Sequence, residues 1–353
     1  MSETFPTAPP PVVTRLNPGD VPAEIVDRLR TGAIVAPADV GVLDLSGPGA
    51  VASFQGLLTS DIEQPGDGAF VFGALLTPKG MIVVDGWAAR LGTRVRFTVS
   101  TEGRERAATI LQRSVPPRLA RTVDRSADSI VLRVAGAHAV AIVSAAGFPA
   151  PPHAGHAGYA VETTLGDVPL EIARASERAP FTFQITVAAA HSATLIDRLL
   201  RGGAALADAA ALDLARILAG WPRLASEVDE KTIPQELGYD EIGGISYTKG
   251  CYTGQETVSR LHFRGHANRN LRGLLFELDS PAPPPPAEGW SNVMEDEREV
   301  GRVTSIAWVA GVDRWIGLAV LRREVAIGAV VRAAGREARV VTLPFNIPAV
   351  RPA

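Results

Sequence analysis

A chain of 353 residues with 46% hydrophobic side chains and a formal charge of −3 is too long for one core, and its charge balance argues against a dominant nucleic-acid surface while leaving room for a local basic patch. The single cysteine excludes an internal disulfide, suits a reducing cytoplasm, and falls short of the roughly four ligands that an iron–sulfur cluster takes. No run of about 18 apolar residues appears, so no membrane span is expected, and the first residues lack the basic-then-apolar order of a secretory signal.

Prolines 6, 9, 10, 11 and 18 crowd the beginning, so residues 1–20 are expected to form a disordered lead. Residues 21–30 place Val21, Ile25, Val26 and Leu29 at helical spacing, and Gly32 fits a stop. Residues 40–45 read as a strand, Ser46-Gly47-Pro48-Gly49 as a turn, and residues 50–58 as a helix through Val51, Phe54 and Leu58. Gly47, Gly49 and Ala52 mimic a dinucleotide fingerprint. That fingerprint needs an acid about 20 residues on, after the next strand, to hold a ribose. The next strand is expected over residues 69–76 and ends in Thr77-Pro78, while Asp67 precedes it; the segment is therefore read as a turn and a helix start.

Residues 70–76 and 80–88 form an expected hairpin around Thr77-Pro78-Lys79-Gly80. A strand over 94–100 and a helix over 102–111, capped by Thr101, follow. Residues 130–134 read as a strand, 137–146 as a helix and 149–158 as a loop. His153 and His156 in that loop have no acid partner and read as solvent-exposed, not as metal ligands. Residues 159–163 and 168–174 suggest a second hairpin, 181–187 a strand, and 192–200 a helix ended by Gly202-Gly203. A leucine-rich helix over 207–219 is stopped by Trp221-Pro222, and its Asp213 and Arg216, three apart, can pair on its surface.

The chemistry concentrates in Lys249-Gly250-Cys251-Tyr252-Thr253-Gly254-Gln255-Glu256. Gly250 and Gly254 allow tight turns around the thiol, and Lys249 nearby favours thiolate. A lone cysteine also serves as a small buried hydrophobe, and that reading stays open. Beyond this octet, Arg260, His262, Arg264, His266, Arg269 and Arg272 crowd a short span. They fit a solvated strand or loop, or a surface for phosphates, RNA or an acidic tail. His262 and His266 have the spacing of a helical metal pair, but Gly265 and the lack of a nearby acid weaken it. From residue 271 onward, short strands over 273–278, 300–307, 315–321, 330–332 and 338–341 suggest a small barrel, with a stiff proline loop at 281–286.

Ile233-Pro234-Gln235-Glu236-Leu237-Gly238, Gly243-Gly244-Ile245-Ser246-Tyr247-Thr248 and the octet together resemble the signature of YgfZ-type folate-binding proteins. Those are relatives of the glycine-cleavage aminomethyltransferase and act in iron–sulfur cluster assembly or repair. The resemblance extends over roughly residues 34–345. It implies an α+β fold, with an aminomethyltransferase-like folate-binding core over 21–265 and a C-terminal β-barrel over 266–353, closing at Leu343-Pro344-Phe345. It also implies tetrahydrofolate or a derivative as cofactor, and iron–sulfur client or assembly proteins as partners, tRNA-modifying enzymes among the clients. The implied location is the cytoplasm, with no DNA and no membrane partner; RNA contact is left open.

The resemblance assigns Phe72, Asp85, Glu171 and Arg216 to the folate cleft. Glu171 matches a glutamate that holds the pterin, and a carboxylate suits the paired N–H donors of an amino-pyrimidine edge. Asp85 also reads as a hydrogen-bonded acid at a strand end, and Glu171 as an outward polar residue of an alternating strand. Arg216 fits the helix ending Arg216-Ile217-Leu218-Ala219-Gly220. Cys251, tuned by Lys249, is the implied reactive thiol beside the cleft. Gly250, Tyr252, Gly254, Gln255 and Glu256 shape its loop or meet a partner. Ser60 stands where the relatives carry Asn, Val84 where they carry one of two adjacent acids, and Leu212 where they carry Arg. Valine can neither take a proton nor stabilise a cation, so glycine-cleavage activity is not expected. A folate-dependent one-carbon transferase and a scaffold without chemistry are the alternatives.

Overall fold

The computed structural model describes residues 12–152, 157–277 and 291–346. The expected proline loop at 281–286, His153, His156 and residues 1–11 of the expected lead lie outside the described residues.

The core is organised around one hairpin. Ala69–Leu76 is buried along its whole length, and its partner Ile82–Leu91 is buried as far as Ala89. A strand covered on both faces reads as a continuous apolar run, which is what Ala69-Phe70-Val71-Phe72 and Ile82-Val83-Val84 show. Arg94–Ser100, Val40–Ser46 and Arg121–Asp124 extend the sheet antiparallel from the second strand. On the other side the join is narrow, because Ala69–Leu76 pairs with Gly158–Leu165 through Ala69 and Phe70 alone. A Cβ on Gly158 would sit 2.4 Å from the Arg174 carbonyl oxygen, so this corner needs glycine. Val168–Arg174, Phe183–Ala188, Ser129–Ala135, Ile34–Pro37 and Ala205–Leu206 continue beyond it, completing an 11-stranded sheet. Arg96 reaches Glu171, and Thr98 reaches Gln184, so the two halves of the sheet are bridged across the corner.

The turn that mimics a dinucleotide site has a packing role. Val40–Ser46 runs antiparallel to Arg94–Ser100, and the helix Ala50–Gln55 has 6 residues. Gly47 and Gly49 lie against the backbone of Leu119 and Ala120, where a Cβ on Gly47 would be 2.5 Å from the Leu119 oxygen.

The barrel is closed, since Arg298–Val309 pairs with both Asn292–Glu295 and Arg314–Arg322, and Val330–Ala333, Arg336–Val341 and Arg269–Phe276 complete the circuit. Closure leaves these six strands no free edge. The lead differs from the expectation in its described part. Thr14–Leu16 forms a strand parallel to Arg298–Val309, in register Thr14 with Ser305. At the other end, the Phe345 N–H donates to the Leu218 carbonyl, and Leu343 covers Gly220. The basic stretch after the octet also differs: its first part is a helix, Gln255–Arg264, not a strand or loop. Its inner face rests on buried Val258 and half-buried Leu261, three apart, too short a pattern to read as a period.

Candidate functional site

A cavity of about 390 Å³ opens between the two halves of the sheet, the helix Ala209–Ala219 and the segment 221–224. That volume lies in the range of small-molecule sites. Its wall is aromatic. Trp87 and Trp221 stack at 5.4 Å with 13° between their planes. Phe72 meets Trp221 edge-on at 4.8 Å, and Phe181 meets Trp87 at 5.0 Å.

Two ionisable groups face this wall. Asp85 lines the cavity and is 6% exposed. Tyr239, fully buried, donates its hydroxyl to Asp85 Oδ2 at 2.5 Å. Burial pushes the Asp85 carboxyl up to about 6, against the pull of the Tyr239 hydrogen bond. Tyr239 is itself pushed well above its ordinary value by burial and by Asp85, so it stays a donor. Arg133 lies 4.4 Å over the Phe181 ring, and its Nε and Nη2 donate to Gln184 Oε1 at 3.3 Å each. Gln184 Nε2 in turn donates to Thr98 Oγ1. Burial pushes Arg133 down to about 10, which leaves it charged at neutral pH. Among the described residues no carboxylate pairs with it, so its charge is available to the cavity.

Arg216 also lines the cavity, but its donors are committed. Nε donates to Asp213, Nη1 to the Trp221 carbonyl and Glu227, and Nη2 to Ser305 Oγ of the barrel. Its work is to fix the Trp221 segment and join core to barrel.

The octet lies elsewhere. Cys251 is exposed and does not line the cavity. Lys249 is 8% exposed and points its ammonium at carbonyl oxygens of Gln55, Leu58 and Ser60, at 2.6, 2.7 and 2.9 Å. An ammonium has three N–H groups, and these use all of them. Burial pushes Lys249 down to about 8, so the charged form still prevails at neutral pH. The Thr253 N–H donates to the Gly56 carbonyl. Gly254, at φ +81°, approaches the Ala69–Leu76 hairpin turn so closely that a Cβ would sit 2.6 Å from the Thr77 oxygen. Gly250 stands in open space, and Tyr252 is buried with the Lys249 ammonium 5.2 Å over its ring. Gln255 and Glu256 begin the following helix, where an exposed acid suits the N-terminal dipole.

The family model of the GCVT N-terminal domain matches residues 24–243, and that of the glycine cleavage T-protein C-terminal barrel domain matches residues 269–346. The tRNA-modifying protein YgfZ of Serratia proteamaculans is 31% identical over 290 residues, covering 80% of this chain and 82% of that protein. The chain belongs to the YgfZ family. The YgfZ of Sodalis glossinidius is 30% identical over 265 residues, covering 72% of this chain and 74% of that one. An aminomethyltransferase of Rubrobacter xylanophilus is 27% identical over 321 residues, 90% of this chain and 84% of its own. The aminomethyltransferase T of the glycine cleavage system from Bartonella henselae matches with a TM-score of 0.75 over 93% of this chain and 90% of that one, at 18% identity, which establishes a shared fold.

The structure brings Phe72, Asp85 and Arg216 to the cavity and keeps Glu171, Lys249 and Cys251 out of it. Glu171 is 2% exposed and receives Arg96 Nη1 at 3.0 Å, while Arg96 also grips Asp44 with two donors. Its carboxylate therefore bridges the two halves of the sheet. Lys249 commits its ammonium to the turn after the helix Ala50–Gln55. Val84 also reads differently in place. Adjacent strand residues face opposite ways, so Asp85 faces the cavity while Val84 packs on Gly103. Trp87, Phe181, Trp221 and Arg133 are the wall residues that the sequence reading missed, along with Tyr239, which stands behind Asp85 and Phe72. Trp221 reads there as a helix stop, and Tyr239 follows directly on Leu237-Gly238 of the signature run without drawing notice.

Proposed function

We propose that this YgfZ-family chain binds tetrahydrofolate or a derivative in the aromatic cavity and supports assembly or repair of iron–sulfur clusters in cytoplasmic client enzymes. The observation that carries the folate reading is the lining. Trp87, Trp221, Phe72 and Phe181 offer faces and edges to a flat heterocycle. Asp85, held from behind by the Tyr239 hydroxyl, offers a carboxyl to its polar edge, and Arg133 offers a cation without an acid to a carboxylate or carbonyl. When bound, tetrahydrofolate supplies one-carbon carrier chemistry at its ring nitrogens; the residues here bind it, orient it and exclude water. Two relatives are named tRNA-modifying proteins, which brings tRNA-modifying enzymes in as clients. One exposed thiol cannot hold a cluster, so Cys251 acts as a single ligand or nucleophile toward a partner that supplies the rest.

Calorimetric titration with tetrahydrofolate and with NAD tests the cavity. Tetrahydrofolate should bind and quench the fluorescence of Trp87 and Trp221; NAD binding with folate silent would overturn the assignment. The thiol is tested separately. Cys251→Ser should change stability by at most about 1 kcal/mol and abolish rescue of iron–sulfur enzyme activity in a strain lacking the protein. Full rescue would refute a role for Cys251. Asp85 in the cavity favours one second reading, group transfer on bound folate. Ammonia release from aminomethylated lipoyl carrier protein and tetrahydrofolate, at the rate of an authentic transferase, would establish it.

A further inference from the structure

Beside the octet the chain carries cations that its own fold leaves unanswered. On the helix Gln255–Arg264, Arg260, Phe263 and Arg264 are all exposed, with Phe263 at 69%. Residues three and four apart share a helix face, so the exposed Phe263 ring lies on the same face as the two guanidinium groups. Five residues beyond Arg264, Arg269 opens the barrel strand Arg269–Phe276 and stands directly opposite Arg322 of Arg314–Arg322. Like charges four apart on a helix, or opposite across a ladder, are each unfavourable. Arg323 follows, its N–H bonded to the Asn268 carbonyl. Among the described residues, Arg260, Arg264, Arg269, Arg322 and Arg323 make no ion pair. The acids in reach offset them only in part, Glu236 through its longer-range attraction to Arg269. Glu236 and Glu256 stay beyond ion-pair distance, and Glu324 is paired with Arg298. Behind Phe263, His262 stacks on Tyr247 at 3.6 Å, and Phe263 meets both rings edge-on.

From this geometry we infer that the outer face of the helix Gln255–Arg264 and the adjoining barrel rim bind single-stranded or looped RNA. A chain of formal charge −3 that gathers unpaired arginines in one place is complementary to a polyanion. The exposed ring favours RNA over an acidic peptide, because unstacked bases pack on aromatic faces while arginines follow the phosphates. Cys251 lies four residues before the helix begins, so bound RNA would run beside the thiol. This surface is separate from the folate cavity and does not depend on it.

Fluorescence anisotropy with a short labelled oligouridine tests the inference. Log affinity should fall linearly with log salt, with a slope near −3 if about four phosphates are neutralised. The double variant Arg260→Gln/Arg264→Gln should weaken binding at least about tenfold and lessen that slope by about 1.4. Phe263→Ala should weaken it about tenfold with the slope unchanged, because stacking releases no counterions. These exposed substitutions should leave the circular dichroism spectrum as in wild type. Binding unchanged in both variants would overturn the inference, as would an oligoglutamate peptide that displaces RNA at lower concentration. Tetrahydrofolate titration of the double variant should match wild type, so a failure of the folate reading is seen independently.

Discussion

Asp85 is the residue on which the cavity's behaviour turns. Its carboxyl keeps a proton up to about pH 6 in the folded protein, and up to 3.8 in the unfolded chain. A group whose folded value is raised in this way favours the folded state below 3.8. That advantage is lost as pH rises through 6, and above 6 the buried charge is a standing cost. The difference of roughly two units corresponds to about 3 kcal/mol at most. Asp85→Asn keeps an oxygen to accept the Tyr239 hydroxyl and removes the charge. It should therefore be more stable than wild type at pH 7.5, by up to about 3 kcal/mol in urea midpoints, with the gap closing below pH 4. An equal gap at both pH values would show that the carboxyl is not the source. The same variant should bind tetrahydrofolate more weakly, because a carboxyl that can give or take the proton is replaced by a fixed amide.

At the scale of the element, the octet is a clamp on two others. Lys249 saturates the carbonyls beyond the helix Ala50–Gln55, and Gly254 lies against the turn at Thr77. Lys249→Ala should leave these buried oxygens without donors. The expected loss is about 2–4 kcal/mol in urea midpoints, with faster proteolysis near Cys251. A lysine acting on the thiol alone would leave stability unchanged and slow alkylation by iodoacetamide. The distinction shows what the sequence could carry. Alternation and length reveal the central hairpin, the leucine-rich helix and the barrel strands, because each buries a continuous face. The strands Arg121–Asp124, Ala205–Leu206 and Asn292–Glu295 are too short to show a period. The octet was legible as a mark of the family because its order is so specific. The direction of Lys249 was not, because what surrounds an ammonium is decided by carbonyls 189 to 194 residues away. The pairing of Glu171 was hidden for the same reason, since its partner Arg96 is 75 residues distant. The aromatic wall is likewise assembled from segments far apart in the chain.

Across the whole molecule, core and barrel are joined at a charged buried knot. Glu227 is 0% exposed. Its Oε2 accepts from Arg216 Nη1 and the Arg223 N–H, and its Oε1 accepts from Ser305 Oγ. Ser305 lies just past a register shift in Arg298–Val309, and an irregularity there re-aims a side chain, here into the knot. The same residue pairs with Thr14, so the N-terminal strand, the core helix and the barrel meet at one place. Removing one partner of a buried ion pair leaves the other uncompensated, which costs about 3–5 kcal/mol. Glu227→Ala should lower stability by that amount, and the loss should fall on the junction first. Trp308 and Trp315 belong to the barrel, Trp87 and Trp221 to the cavity. In wild type, near-ultraviolet dichroism and tetrahydrofolate-quenched fluorescence should report one transition in urea. In Glu227→Ala the cavity should be lost at lower urea than the barrel, because Arg216 no longer fixes the Trp221 segment. Coincident transitions shifted by less than about 1 kcal/mol would mean that packing at Leu343 and Gly220, not the buried charges, couples the two units.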